Sequence, residues 1–120
     1  MRKLNPAKAA AIALVAAFLY VLTYIFHVDA ATDAYAAPSS HTVVIEGMKF
    51  VPDSIAVKAG DTVVWVNKDL FPHTATAQDR TFDSGELAAN VSWKYIVSKP
   101  GKYAYVCTLH PTMKGTIVVD

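Results

Sequence analysis

The residues best suited to chemistry lie in two short stretches of the second half of the chain. One stretch reads Cys107-Thr108-Leu109-His110-Pro111-Thr112-Met113 and the other reads Phe71-Pro72-His73-Thr74. The first carries a thiol, an imidazole and a thioether at three-residue intervals, and the second adds another imidazole. Cys107 is the single cysteine, so an internal disulfide is excluded. All four side chains are metal donors, and the pattern therefore predicts a mononuclear metal site.

The donor types favour copper. A trigonal set of two histidines and one cysteine with a weak axial methionine is the ligand set of a blue-copper electron-transfer centre, because thiolate and thioether suit Cu(I) and imidazole suits both oxidation states. Taken singly, a histidine, methionine or buried cysteine is more often structural. Their joint occurrence favours ligation. We predict one Cu(I)/Cu(II) ion per chain, no catalytic residue, and the ligands His73, Cys107, His110 and Met113.

Other functions fit the same residues less well. A protein that binds and delivers copper outside the cytoplasm would be expected to carry a His- or Met-rich exchange tract, and the chain has none. A copper enzyme would need further histidines for a second metal, and His27 and His41 lie outside the pattern. A structural zinc site is disfavoured because methionine is not a usual zinc ligand.

The segments around these residues predict an all-β sandwich. They are short, alternate apolar with polar residues, and end at turn residues, as half-buried strands do. Only Ser84–Asn90 has the pattern of a helical turn. The predicted strands are His41–Glu46, Ser54–Lys58, Asp61–Asn67, Val91–Ser98, Lys102–Cys107 and Gly115–Asp120. Strands at such short intervals indicate a sandwich with Greek-key connections, and both candidate ligand stretches become loops.

The 120 residues divide into a hydrophobic leader and an ordinary domain. Of residues 1–36, 26 are apolar, whereas the rest is about 45% apolar and carries eight basic and eight acidic residues. The formal charge of +1 argues against nucleic-acid binding, which needs a basic face.

The leader predicts export. Arg2, Lys3 and Lys8 precede an uncharged run of 18 residues, 9–26, and such cations keep the N-terminus in the cytoplasm. The length of the run lies at the boundary between signal-peptide apolar regions and spanning helices. Two fates therefore stay open, namely cleavage at the small-x-small pattern ending at Ala36 or retention of residues 9–26 as an anchor. We predict a leader over 1–36, a linker over 37–42 and a domain over 43–120, located at the periplasmic or another extracytoplasmic face.

Residues 47–120 resemble a known family. The matching segments are Gly47-Met48-Lys49-Phe50, the run VKAGDTVVWVN over 57–67, Pro72-His73, and the run YVCTLHPTMKG over 105–115. They are similar to the plastocyanin-like cupredoxins, and most of all to the amicyanins, whose ligand loop has the same short spacing.

The resemblance implies a role for each matched residue. It makes His73, Cys107 and His110 the equatorial ligands and Met113 the axial ligand. Asn67 matches an asparagine that braces the loop after the cysteine, and we expect its partner to be Thr108. Thr74 stands where many relatives have asparagine, which leaves open the hydrogen bond made at that position.

His110 is expected to be the solvent-facing ligand, since its loop lies at one end of the sandwich. Apolar residues of both loops should surround it as a docking rim for transient redox partners, an electron donor and an electron acceptor of a monomeric protein. The predicted rim consists of Leu70, Phe71, Pro72, Leu109, Pro111 and Thr112.

Overall fold

The computed structural model describes residues 5–26 and 36–120. The sequence interpretations that rest on Arg2, Lys3, His27 and the pair Ala34-Tyr35 therefore lie outside the described residues. The described residues belong to two units, an N-terminal helix and a compact body over 37–120.

The N-terminal helix α1 spans Pro6–Phe26. Asn5 caps it, because its side-chain oxygen accepts the Ala7 amide at 3.1 Å and its carbonyl oxygen accepts the Lys8 amide at 2.9 Å. Pro6 occupies the first helical position, where a missing amide hydrogen costs nothing. Within the described part of the chain, no helix has both the length and the apolar character needed to cross a membrane.

The compact body is a sandwich of two four-stranded sheets, which confirms the predicted fold class. The first sheet has the strand order β2-β1-β4-β6 and the second the order β3-β8-β7-β5. The pairs β1–β4 and β3–β8 are parallel, and the other neighbours are antiparallel. The strands are β1 Ser40–Ile45, β2 Phe50–Val51, β3 Ser54–Val57, β4 Thr62–Asn67, β5 Thr76–Ala77, β6 Ser92–Ile96, β7 Gly101–Val106 and β8 Lys114–Val119.

Alternation along the strands builds the core. In β4, Val63, Trp65 and Asn67 are fully buried between the sheets while the residues between them reach the outer face. Trp65 lies at the centre, with its ring 5.3 Å from Phe82 and 5.5 Å from Tyr105 between centroids. Such aromatic contacts contribute beyond their buried area. The core therefore joins the strand that ends at the candidate site to the strand that leads into Cys107.

The strands also place both ligand stretches at one end of the sandwich. Ile45 at the end of β1 pairs with Asn67 at the end of the parallel strand β4, so the segments that follow them lie together. The loop between β7 and β8 reaches the same end, where the Thr74 amide contacts the Cys107 sulfur. This end, the ligand pole, consists of residues 46–49, 68–75 and 107–113.

Three features differ from the sequence prediction. Ser40 to Thr42 pair with β4, so the segment 37–42 is only partly a linker and the body begins earlier. The two-residue strands β2 and β5 carry too little alternation to be found by pattern. Ser84–Asn90 forms no helical turn, because the amides of Ser84 and Leu87 bond to Ala75 and His73 instead of to their own segment.

Candidate metal centre

Three of the four predicted donors converge at the ligand pole. Nδ1 of His73 and Nδ1 of His110 each lie 3.8 Å from Sγ of Cys107. The two imidazole rings are 5.0 Å apart between centroids. No other trio of histidine, cysteine or acidic side chains among the described residues brings its donor atoms together in this way. The structure therefore assembles one donor cluster, and it is the one expected from the sequence.

The separations match what a single ion requires. Nitrogen and sulfur donors bind a first-row metal at about 2.0–2.3 Å, so two donors of one ion stand no more than ~4.6 Å apart. The 3.8 Å distances fall within that limit. Met113 is buried beside these donors, with 3% of its surface exposed. Two imidazoles, a thiolate and a thioether thus fit copper.

The spacing of the ligands in the stretch 107–113 follows from two consecutive tight turns. The His110 amide bonds to the Cys107 carbonyl oxygen at 3.2 Å, and the Met113 amide bonds to the His110 carbonyl oxygen at 2.9 Å. The Cys107 amide closes the loop on the Met113 carbonyl oxygen at 3.1 Å. Each turn advances the chain by three residues. Positions 107, 110 and 113 therefore return to the same side of the loop.

The ligand stretch 71–74 is held from both sides. The His73 backbone exchanges two hydrogen bonds with Leu87, at 3.1 and 2.7 Å. On the ring, Nε2 contacts the Asp69 carboxylate at 3.0 Å, which leaves Nδ1 directed at Cys107. A hydrogen bond between the other ring nitrogen and a carboxylate fixes the tautomer and orientation of a ligating histidine. His73 is fully buried, so its ring position is set before any metal binds.

Asp69 is a residue that the sequence interpretation missed. Its carboxylate accepts the amides of Gly47 and Met48 at 2.8 and 3.0 Å, both residues having φ near +60°. These bonds, first that of Met48, together with the contact to His73, lower the pKa of Asp69 against the opposing effect of burial. An acid four residues before a ligand histidine is the only sequence signal that indicates this brace.

The predicted partnership of Asn67 with Thr108 is wrong. The Asn67 side-chain amide instead donates to the carbonyl oxygens of Phe71 and Leu87, at 2.7 and 2.9 Å. Asn67 thereby ties the loop that carries His73 rather than the loop that carries Cys107. Asn67 lies at the buried end of β4, and the chain passes this end at Phe71 and again at Leu87, so both carbonyl oxygens are within reach of its side chain.

Thr74 makes the hydrogen bonds that the sequence left open at this position. Its amide donates to Cys107 Sγ at 3.3 Å, and its hydroxyl oxygen accepts the Thr108 amide at 2.9 Å. The two hydroxyl groups of Thr74 and Thr108 are 3.0 Å apart. Threonine at this position therefore connects the two ligand loops on either side of the sulfur.

The surface of the ligand pole is apolar where the rim was expected. All six predicted rim residues are exposed, Leu70 at 86%, Phe71 at 65% and Leu109 at 43%. His110, at the same pole, is half-buried, in contrast to the fully buried His73. Met48 adds a further exposed apolar side chain, at 41%, which the sequence interpretation did not include.

Comparison with known proteins agrees with this geometry. The family model described as a cupredoxin-like domain matches residues 13–119. Amicyanin-alpha of Methylorubrum extorquens is 34% identical over 90 residues, which are 70% of this chain and 76% of that protein. Plastocyanin of Scenedesmus fuscus is 36% identical over 84 residues, 59% of this chain and 86% of that protein.

Solved structures give the same result. A Cu(I) form of an amicyanin variant superposes with a TM-score of 0.64 at 30% identity, covering 72% of this chain and 88% of that one. A copper-containing nitrite reductase from Thermus scotoductus superposes with a TM-score of 0.64 at 32% identity over 68% of this chain, but this chain spans only 22% of the enzyme. The chain belongs to the cupredoxin family.

Proposed function

We propose that this protein is a one-electron carrier that binds one copper ion through His73, Cys107, His110 and Met113. The observation that carries the proposal is the convergence of Nδ1 of both histidines on the Cys107 sulfur, with one imidazole buried and the other reaching the surface. When bound, copper supplies the Cu(I)/Cu(II) couple.

The rigidity of the donor set supports rapid electron transfer. Asp69 fixes the His73 ring, Thr74 holds the Cys107 sulfur, and the two turns fix the loop between Cys107 and Met113. Donors that keep their places in both oxidation states leave little to rearrange when an electron arrives or leaves. Of the two histidines, His110 alone is partly exposed, and we place the exit of the electron there.

The apolar rim supports docking of redox partners by brief contact. Leu70, Phe71 and Leu109 expose large apolar surfaces around His110, and such patches are typical of interaction sites. Transient redox complexes use small interfaces, so a rim drawn from two loops is sufficient.

Electron self-exchange tests the site and the rim together, because two copies of the same protein serve as donor and acceptor. Mixed Cu(I)- and Cu(II)-loaded protein should exchange electrons, as measured by NMR line broadening. Leu109→Glu should slow the exchange about tenfold or more, since like charges meet in the encounter complex. Ile96→Glu, at a 61% exposed position on β6, is the matched control and should leave the rate unchanged. Equal effects of both variants would contradict docking at the rim.

The leader supports action outside the cytoplasm, since cations before an apolar run direct export. Its two fates predict different products. Cleavage near Ala36 yields a mature chain that begins at residue 37, whereas retention of the leader yields the full chain. The intact mass of the exported protein distinguishes them.

Two other functions are less well supported. Copper delivery would require a site that opens, and here His73 and Cys107 are fully buried and the loops are cross-linked by hydrogen bonds. An enzymatic role would require a second metal or substrate site. Besides the two ligand histidines, the described part of the chain holds only His41, which bonds to Asp61 at 2.8 Å at the opposite end of the sandwich. A carrier keeps its copper through repeated oxidation and reduction, and loss of copper to a mild chelator in the reduced state would favour delivery.

A further inference from the structure

A row of four oxygen-bearing side chains runs from the loop of Cys107 to the protein surface. The hydroxyl of Thr108 lies 3.0 Å from that of Thr74, which lies 3.1 Å from that of Thr76. The Thr76 hydroxyl in turn lies 3.1 Å from Oδ1 of Asp83. Thr74 and Thr76 are buried, at 4% and 6% exposed, whereas Asp83 is exposed.

The Thr76 hydroxyl is the donor in the middle of this row. An ionised carboxylate can only accept. The Thr76 hydroxyl donates to Asp83 on one side and to the Thr74 hydroxyl oxygen on the other, so the two acceptors share its hydrogen. The Thr74 oxygen thus accepts from Thr76 and keeps one lone pair for a second donor.

Thr108 supplies the remaining partners of Thr74. Its amide lies 2.9 Å and its hydroxyl 3.0 Å from the Thr74 hydroxyl oxygen. Thr74 therefore accepts from the Thr76 hydroxyl and from the Thr108 amide, and it donates its own hydrogen to the Thr108 hydroxyl. At the other end of the row the acceptor is a charged carboxylate, which makes the bond that positions Thr76 stronger than a bond between neutral groups.

We propose that Asp83 is a positioning residue for the metal centre and acts on the Cys107 loop through Thr76 and Thr74. The inference rests on the proposed metal site, because Asp83 is proposed to affect the environment of the Cys107 sulfur, one of the proposed ligands. The Thr74 amide donates to Cys107 Sγ at 3.3 Å, so the residue that the row orients also contacts the donor atom directly.

Asp83 is itself held in place although it is exposed. Its Oδ1 also accepts the Gly85 amide at 2.9 Å. The neighbouring Ser84 is fastened to Ala75 by two bonds, from the Ala75 amide to the serine hydroxyl at 2.8 Å and from the Ser84 amide to the Ala75 carbonyl oxygen at 3.1 Å. The carboxylate therefore has a fixed position relative to Thr76.

Two substitutions break the row at different points. Asp83→Ala removes the terminal acceptor, and Thr76→Val removes the middle hydroxyl without changing charge or the Gly85 bond. Asp79→Ala is the matched control, since Asp79 is an exposed acid of the same segment whose carboxylate accepts from Thr81 and takes no part in the row. All three can be prepared without metal and loaded afterwards.

The first measurement is hydrogen exchange of the Thr108 amide in the metal-free protein. Both Asp83→Ala and Thr76→Val should accelerate it about fivefold, which corresponds to the net worth of one hydrogen bond. The double variant should exchange no faster than about twofold beyond either single variant, because both changes interrupt one row. Asp79→Ala should match the wild type.

The second measurement is the reduction potential of the copper-loaded Thr76→Val variant. It should lie below the wild-type potential, since a loosened Thr74 amide withdraws less charge from the sulfur and the reduced ion is less favoured. An unchanged potential, or Thr108 exchange that is equally fast in Asp79→Ala and Asp83→Ala, would overturn the inference. A wild-type protein that does not turn blue with Cu(II) would instead overturn the proposed function, while the exchange measurement on metal-free protein would still decide the role of Asp83.

Discussion

The two loops that supply the imidazoles differ in almost every respect except chemistry. The segment 67–74 buries His73 completely, fixes its ring on Asp69 and fastens its backbone to Leu87. The segment 107–113 leaves His110 half-buried and is held by its own turns and by hydrogen bonds to Thr74. Two identical donor groups are therefore set in opposite environments.

This difference separates two tasks that an electron carrier must combine. The buried side keeps the donor geometry constant and excludes water, and the exposed side lets a partner approach the site. A site buried on both sides would be rigid but inaccessible, and a site exposed on both sides would be accessible but loosely held. The following predictions, from the largest expected effect to the smallest, test whether the two loops divide the work in this way.

The first prediction removes each imidazole in turn. His73→Gly and His110→Gly should both lose the blue colour given by Cu(II). Added imidazole should restore the colour of His110→Gly, because the vacated position opens to solvent, but not that of His73→Gly, whose cavity is enclosed. Visible absorption titrated with imidazole measures this, and equal rescue of both variants would contradict the asymmetry.

The second prediction strains the strand that follows the exposed loop. A Cβ added at Gly115 would overlap Cζ of Tyr105, whose ring is fully buried. Gly115→Ala should therefore destabilise the protein by about 3 kcal/mol through overpacking. Gly85→Ala is the control, since its Cβ meets nothing within 4 Å and only its φ of +61° is strained. We expect Gly85→Ala to lower the free energy of unfolding by about 1 kcal/mol, and urea unfolding of the metal-free protein measures both variants. Equal losses of stability in the two variants would show that the Tyr105 ring moves aside, and would contradict the prediction.

The third prediction loosens the buried loop. Asp69→Asn keeps the size of the side chain but replaces the charged acceptor shared by Gly47, Met48 and His73. The stability of the metal-free protein should fall by about 2 kcal/mol, the range for hydrogen bonds to a charged group. The copper-loaded variant should also show an altered visible spectrum, because the His73 ring is less constrained. Glu46→Gln, an exposed acid of the neighbouring turn, should change neither measurement.

The fourth prediction concerns the opposite end of the sandwich, where the sequence interpretation assigned His41 no partner. Asp61 accepts the amides of Ser39 and Lys58 and contacts His41 Nε2 at 2.8 Å. These bonds, that of Ser39 first, lower the pKa of Asp61 to about 2. Because the folded pKa is depressed, the stabilisation is present above the unfolded pKa of about 4 and is lost as the pH falls toward 2.

Asp61→Asn should therefore be less stable than the wild type at pH 6, and the difference in urea midpoint should shrink between about pH 4 and pH 2. The visible spectrum of the copper-loaded variant at neutral pH should equal that of the wild type, since Asp61 lies at the end of the sandwich away from the ligand pole. A changed spectrum would mean that the two ends are coupled.

Much of this organisation could be predicted from the sequence because it depends on local patterns. The alternation in β4 and β7 gave the correct buried faces, and the spacing of Cys107, His110 and Met113 reflects two turns that the chain makes by itself. The leader helix was likewise indicated by its apolar composition.

The remainder depends on contacts between distant segments, which no local pattern encodes. Asn67 had two loops within reach and bonds to the one that carries His73, not to Thr108. The segment Ser84–Asn90 had the composition of a helical turn, but the amides of Ser84 and Leu87 bond to the carbonyl oxygens of Ala75 and His73. The acids Asp69 and Asp83 look like ordinary surface residues until the fold brings them to His73 and Thr76.

We propose above that one thiolate, two imidazoles and a thioether of this chain hold a single copper ion. The most direct measurement is a titration of the metal-free protein with Cu(II), followed by visible absorption and electron paramagnetic resonance, with Cys107→Ser alongside. We predict an intense blue colour that saturates at one equivalent in the wild type and is absent from Cys107→Ser. A colourless wild type, or a blue colour that persists in Cys107→Ser, would contradict the claim.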